Sequence, residues 1–242
     1  VRHTLKTKKI HSTSIIEDSV VLGCNVEVGP YTVIEGNTTI GDGTKIGPFC
    51  HLGGMPQDPN YSGEKTTLVI GKNCRLSNYV MIDSGSKNGG TQIGDNCFFM
   101  THSGIAHDTK IGNNCTFSVN AGTVGECIVE EGAFFGIGAK IHQQVRIGRI
   151  SILGGNSFVA RDVLPYSMIE HGKMRGVNLV GLKRNGFTTK QIKVLIHLYK
   201  ILLEKQMTFD SWKKMLPEHL PKEEIGHIIK FIDKESARHY TL

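Results

Sequence analysis

Two adjacent residues, His107 and Asp108, are the pair in this chain best suited to moving a proton. An imidazole titrates near neutrality, and a carboxylate beside it fixes its tautomer and raises its basicity. The segment Gly104-Ile105-Ala106-His107-Asp108 is therefore a candidate general base with an orienting acid, its side chain expected to face outward toward a neighbouring surface. A histidine on a surface turn with no chemical role fits the same residues. His142, in Ile141-His142-Gln143-Gln144, is a second outward candidate with the same alternative, and His102 and His51 are weaker. The six cysteines form no CxxC and the eleven histidines no HExxH, so no metal site is read.

Whatever positions these side chains repeats every six residues. Ile16, Leu22, Val28, Ile34, Ile40, Ile46 and Leu52 are followed, after a gap, by Ile70, Leu76 and Ile82. A second run comprises Ile93, Phe99, Ile105, Ile111, Phe117, Thr123, Val129, Phe135, Ile141, Ile147, Leu153 and Val159, with Thr123 alone polar. A helix would scatter this spacing around its cylinder, whereas a coil of short strands joined by tight turns points every sixth residue into one core. Four places after most anchors stands a small residue: Thr32, Thr38, Thr44, Cys50, Cys74, Cys97, Ser103, Thr109, Cys115, Ala121, Ala133 and Ala139. These are expected to face inward where space is tight. Glycine directly after many anchors, as at Gly41, Gly47, Gly71, Gly94, Gly112 and Gly148, is expected to supply a bend with relaxed φ limits. Alternating strands of a sandwich would not hold one phase for so long.

Composition agrees with an all-β solenoid. Hydrophobic residues make up 39% of 242 and aromatics only 7%, which suits a core of small aliphatic layers. No run of apolar residues is long enough to span a membrane, and the segment Val1 to Ile10 lacks the apolar centre of a secretory signal, so a cytoplasmic location is expected. Cysteines at the small inward positions read as compact hydrophobes, not disulfide partners. The formal charge of +6 owes four of its charges to Arg2, Lys6, Lys8 and Lys9, leaving no folded basic stripe for nucleic acid.

The repeats predict a solenoid domain over 11–165, interrupted by expelled loops near 53–69 and 83–92, both rich in glycine and polar residues. Such loops are where binding residues collect. A connecting segment, 166–185, leads to a C-terminal helical domain over 186–242. Its first helix runs from Phe187 to Gln206 with Thr188 or Thr189 as N-cap, a second lies near Phe209 to Leu216, and a third begins near Pro221 with Glu223 and Glu224 in its first turn. Three anchors per turn make a triangular prism whose flat faces suit packing around a threefold axis.

Four segments in order carry a family resemblance: the hexapeptide coil, the loop Gln57-Asp58-Pro59-Asn60-Tyr61-Ser62-Gly63-Glu64, the Ile105-Ala106-His107-Asp108 stretch and Gly176-Val177-Asn178-Leu179-Val180-Gly181-Leu182-Lys183-Arg184. Together they resemble the UDP-N-acetylglucosamine O-acyltransferases of lipid A biosynthesis over nearly the whole chain. The resemblance implies a left-handed parallel β-helix followed by a small α-helical C-terminal domain, a homotrimer, and active sites in clefts between subunits. It implies transfer of an R-3-hydroxyacyl group to the sugar 3-hydroxyl from acyl carrier protein, whose phosphopantetheine carries the acyl group, with no cofactor resident on the enzyme. His107 matches the general base, Asp108 the residue that orients it, and the Gly125 N–H the oxyanion donor. Gly155 matches the position that limits acyl length. Gln57, Asp58, Tyr61, His142 and Gln143 match substrate-lining positions, and Asn178 with Arg184 matches contacts to the nucleotide, where a guanidinium fork suits a diphosphate.

The chain departs from the family pattern at Asn60, Gly104, Glu126, Val180 and Asn185, which stand where the family carries lysine, two histidines, glutamate and arginine. The departures cluster at acceptor contacts, so acylation of an amino group on a UDP- or dTDP-linked sugar, from acyl carrier protein or acyl-CoA, remains the alternative. Two further readings stay open on the repeats alone. A scaffold without turnover would not need His107, and a carbonic anhydrase of this architecture would need histidines converging on zinc.

Overall fold

The computed structural model describes residues 9–87, 89–204, 208–216, 222–234 and 236–241. Each aliphatic anchor closes a short strand, and the strands stack into three parallel sheets. Sheet A runs from Lys9–Ile10 to Lys173–Val177, sheet B from Ile15–Ile16 to Phe158–Val159, and sheet C from Val21–Leu22 to Arg146–Ile147. The chain visits A, B and C in turn, one turn of a parallel β-helix. Register is set anchor on anchor, as in Ile82↔Ile105, Ile105↔Thr123, Thr123↔Ile141 and Ile141↔Val159 down sheet B.

A one-residue slip would turn every anchor to solvent, so burial of the anchors locks the register. From Val28 onward they are buried apart from Thr123, and each contributes roughly 1.5–3 kcal/mol relative to an exposed side chain. Ile16 and Leu22 are half-buried, being in the first turn of the coil, with neighbours on one side only. Thr123 places its hydroxyl 3.3 Å from that of Thr109, so the polar anchor finds a partner inside the coil. Phe99, Phe117 and Phe135 stack in one inner column with centroids 5.2 and 4.2 Å apart. All of the small inward residues are buried as expected.

The glycines that follow the anchors do a different job from the one expected. Positive φ falls two places later, at Asn25, Asn73, Asn96, Asp108, Asn114, Asn120, Glu126 and Asn156 among others. Asparagine and aspartate tolerate that left-handed conformation better than most residues. Gly41, Gly71 and Gly94 are instead close-approach sites: a Cβ on Gly71 would lie 2.6 Å from the carbonyl carbon of Gly94 in the next turn. Tight stacking of successive coils, not backbone freedom, requires glycine there.

The expelled loops are shorter than expected, because His51–Gly54 and Thr67–Ile70 bound one at 55–66, and Met81–Asp83 and Thr91–Ile93 bound the other at 84–90. Sheet A also continues past Pro165. Ser167–Glu170 pairs in parallel with Ile152–Leu153, and Lys173–Val177 returns antiparallel to it through His171 and Gly172, both at positive φ. Segment 166–185 is therefore mostly structured, and it ends in a short helix not expected from the sequence, α1 (Leu179–Arg184).

Three further helices follow: α2 (Thr189–Glu204), α3 (Phe209–Met215) and α4 (Lys222–Asp233). Thr188 and Gln191 form a reciprocal capping box at the start of α2. Pro221 lies outside the described residues. Trp212 and Tyr199 pack edge to face with centroids 5.3 Å apart and bury the inner sides of α2 and α3. A clamp ties this region to the coil. Arg146 donates from Nε to Asp162 at 2.7 Å, from Nη1 to the carbonyls of Phe231 and Lys234, and from Nη2 to the Tyr240 hydroxyl. Among the described residues no helix is long and apolar enough to cross a membrane.

Candidate active site

The corner between sheets B and C collects the chemistry. Both loops leave the coil there, and His107, Gly125 and His142 occupy the same corner in successive turns. The six-residue period explains this: positions eighteen apart in sequence, such as His107 and Gly125, stack one above the other.

His107 lies against the loop that covers it. Its Nδ1 is 2.9 Å from Asp108 Oδ2, and since a carboxylate only accepts, Nδ1 carries the proton. Nε2 has no protein partner among the described residues. Asp108 is held by more than the imidazole: the backbone N–H groups of Ser86 and Lys87 donate to it at 2.9 and 3.3 Å. Burial pushes the Asp108 carboxyl up, but the bonds from His107 and Ser86 outweigh burial and hold it below the ordinary range. Its φ of 57° is in the left-handed region, which aspartate tolerates better than most residues.

The ring meets the expelled loop and is covered by it rather than open to solvent. His107 is 5% exposed, because Ser86 reaches over Nδ1 and the backbone of Gly125 backs the other side of the ring. Gly125 is required by this packing: a Cβ there would lie 2.4 Å from both His107 Cε1 and Nε2. The Gly125 N–H makes no hydrogen bond among the described residues.

The first loop supplies carboxylates. Asp58 accepts from the Ser86 hydroxyl at 2.6 Å and from the Asn60 N–H at 2.9 Å, which together hold its pKa down. Gln57 donates to Asp83 at 3.3 Å, and burial pushes the Asp83 carboxyl up. Tyr61 turns away, its hydroxyl donating to the Glu64 carbonyl on the far side of the loop, in a groove with Glu17 and Glu35. Below His107, Glu126 takes bonds from Gln143 and Gln144 at 3.2 and 3.1 Å and pairs with Lys87 at 3.0 Å. Those partners lower the Glu126 pKa and raise that of Lys87. His142 receives a bond from Arg238 at 2.9 Å on Nδ1, which leaves its proton on Nε2.

The remaining expected residues lie elsewhere on the same chain. Gly155 sits at the corner between sheets A and B, where an added Cβ would meet only the Ile137 carbonyl, at an ordinary 3.5 Å. Asn178 and Arg184 line a cavity of about 230 Å³ against Thr116, Phe134 and Ile152 of sheet A. The Asn178 carboxamide is engaged within the chain: its Oδ1 accepts from the Gly181 N–H at 2.9 Å and its Nδ2 donates to the Ile150 carbonyl at 2.8 Å. Ser86, Asp83, Lys87 and Arg238 were not foreseen. A serine in a glycine-rich loop carries no signal of its own, and Arg238 is brought in by the far end of the chain. Of the weaker candidates, His51 pairs with Glu35 at 2.9 Å, and His102 ends an exposed stack that begins Tyr31, Phe49, Tyr79.

A parallel β-helix of six-residue repeats, three to a turn, with a histidine–aspartate pair at one corner fits the hexapeptide class of transferases, and residues 9–54 and 90–123 match the family model described as bacterial transferase hexapeptide (six repeats). Residues 162–241 match that of UDP-N-acetylglucosamine O-acyltransferase, domain 2. The chain is 36% identical to the acyl-[acyl-carrier-protein]–UDP-N-acetylglucosamine O-acyltransferase of Rhizobium rhizogenes, over 96% of this chain and 94% of that one. The protein of the same name from Sinorhizobium fredii is 36% identical over 97% and 95%. Among solved structures, UDP-N-acetylglucosamine O-acyltransferase of Moraxella catarrhalis superposes with a TM-score of 0.85 at 28% identity, covering 96% of this chain and 99% of that one. The Arabidopsis enzyme gives 0.77 at 28%, covering 96% and 100%. The chain belongs to the UDP-N-acetylglucosamine O-acyltransferase family.

Proposed function

We propose that this chain transfers an R-3-hydroxyacyl group from acyl carrier protein to the 3-hydroxyl of UDP-N-acetylglucosamine, the first step of lipid A biosynthesis. The observation that carries the reading is the imidazole of His107, its Nδ1–H held by Asp108 and its Nε2 without a protein partner beside Gly125. In this reading Nε2 takes the proton of the sugar hydroxyl as that oxygen attacks the thioester carbonyl. The C–O bond forms, the Gly125 N–H donates to the oxyanion, and the intermediate collapses with loss of the phosphopantetheine thiolate, which recovers the proton from His107. Asp108 keeps the ring in the tautomer that leaves Nε2 basic. Asp58 and Gln57 hold the sugar, His142 and Gln143 line its cleft, Arg184 meets the diphosphate, and Gly155 leaves room for the acyl chain.

A left-handed coil and a homotrimer belong to the same proposal. Arg184 lies against sheet A and His107 at the corner between sheets B and C, so a site using both would draw on two neighbouring copies. The C-terminal helices then form a small domain of their own, and the protein acts in the cytoplasm, where unpaired thiols persist.

The test is direct. Purified protein is given UDP-N-acetylglucosamine and a 3-hydroxyacyl carrier protein, and acylated nucleotide is measured by mass spectrometry for the native chain and for His107→Ala. The expected result is turnover that falls at least about a hundredfold in the variant. No consumption of the acceptor, or full activity without the imidazole, would overturn the reading.

A further inference from the structure

Ser86 presents a problem of proton counting. Its Oγ is 2.6 Å from Asp58 Oδ2 and 2.8 Å from Asp108 Oδ2, and it lies 3.3 Å from His107 Nδ1. Both carboxylates are held in the charged form by their hydrogen bonds, and a charged carboxylate can only accept. The hydroxyl has one proton, so at any moment one of the two short contacts lacks one. A buried serine would ordinarily avoid such a position, because close oxygens with no hydrogen between them repel. Ser86 is 3% exposed, so water does not relieve the contact.

We propose that Ser86 is a positioning residue whose single hydroxyl proton couples Asp58, the carboxylate assigned to the acceptor, to Asp108, the carboxylate that orients the base. The inference rests on the function proposed above. With no acceptor bound, the shorter contact takes the proton and Ser86 donates to Asp58. A sugar hydroxyl or amide N–H arriving at Asp58 supplies a donor of its own, and the serine proton turns to Asp108. Acceptor occupancy at one loop thereby reaches the carboxylate behind the imidazole with no movement of the backbone, and no bond other than hydrogen bonds is made or broken.

Charged groups surround this proton on every side. Asp58 comes from the first loop, Asp83 from the strand below it, Lys87 from the second loop and Glu126 from the following turn, and Lys87 and Glu126 neutralise one another at 3.0 Å. His51 faces Asp83 from one turn earlier. Without the serine hydroxyl, Asp58 and Asp108 would face each other with nothing between them, and the cluster with His107 would hold a proton more tightly.

The experiment compares pH profiles of kcat/KM for UDP-N-acetylglucosamine in the native protein, Ser86→Ala, Asp58→Asn and the double variant. Alanine keeps the Ser86 N–H bond to Asp108, and thermal unfolding of each variant checks the fold. The expected result is an acid limb moved about 1 unit to higher pH in Ser86→Ala, with kcat at the optimum down about tenfold. In the Asp58→Asn background, where no second carboxylate remains to be separated, the same serine change leaves the limb in place. A limb that does not move in Ser86→Ala, or that moves equally in both backgrounds, would overturn the coupling. Retained turnover in His107→Ala would instead strike at the underlying function, so the two failures are distinguishable.

Discussion

Gly125→Ala isolates the position of the His107 ring from everything else at the site. The substituted residue keeps its backbone N–H, and Gly125 is not among the residues at positive φ, so neither the N–H proposed to meet the oxyanion nor the backbone conformation is lost. What changes is the space beside His107. The new methyl would stand 2.4 Å from Cε1 and Nε2 and 3.0 Å from Nδ1, against roughly 3.5 Å for carbon atoms in ordinary contact. The ring must therefore retreat by about 1 Å, and a displacement of that size at a reacting atom costs on the order of a hundredfold in rate. Retreat drives the ring toward Ser86 and strains the bond to Asp108, adding about 1–3 kcal/mol of overpacking. Steady-state turnover with UDP-N-acetylglucosamine and a 3-hydroxyacyl carrier protein should show kcat down about a hundredfold, and the denaturation midpoint should fall. A variant with native kcat would mean that the working ring does not lie against Gly125, and the mechanism drawn from that packing would fail.

Two other perturbations follow from buried charges. Asp162→Ala strips the partner from Arg146, which is 4% exposed and holds the carbonyls of Phe231 and Lys234. Leaving a buried guanidinium unpaired should cost about 3–5 kcal/mol in chemical denaturation, with the protease sensitivity of the C-terminal region rising in parallel. Glu130 is raised above its ordinary 4.5 chiefly by burial, so the folded state binds its proton more tightly than the unfolded chain and stability declines as pH rises from about 4.5 through the folded value. Glu130→Gln keeps an acceptor for the Arg149 N–H and should remove that decline, matching the native protein below the window and exceeding it above. A stability profile unchanged by this substitution would contradict the burial argument.

The coil was legible in the sequence because its order is one-dimensional. A residue such as Ile105 reports its own environment through a neighbour six places away, and the small residue at Thr109 reports the corner next to it. His107 and Asp108 could be picked out because they are adjacent, and Gly125 because the family motif marks it. Other features required the third dimension. The glycine after each anchor was read as a bend because a sequence shows the residue but not the next turn lying against it. Burial of His107 depends on a loop that leaves the coil one turn earlier, and Ser86 in that loop has no pattern to give it away. Arg238 reaches His142 from the opposite end of the chain. Asn178, which the family motif marks, also caps α1, a role its position before a six-residue helix did not announce.

The thiols inside the coil offer a record of how it opens. Cys50, Cys74, Cys97, Cys115 and Cys127 each donate to a carbonyl one turn further along, as Cys74 does to Gly94 at 3.2 Å and Cys127 to His142 at 3.2 Å. Burial pushes Cys50 up to about 11 and Cys127 to about 12, so neither is an effective nucleophile while its turn stays closed. Alkylation at a given sulfur then counts the moments when that rung has peeled away. Since neighbouring turns support one another mainly by contact with the next, labelling at these five positions, spread over successive turns and all three corners of the coil, would read out, residue by residue, from which end this solenoid frays.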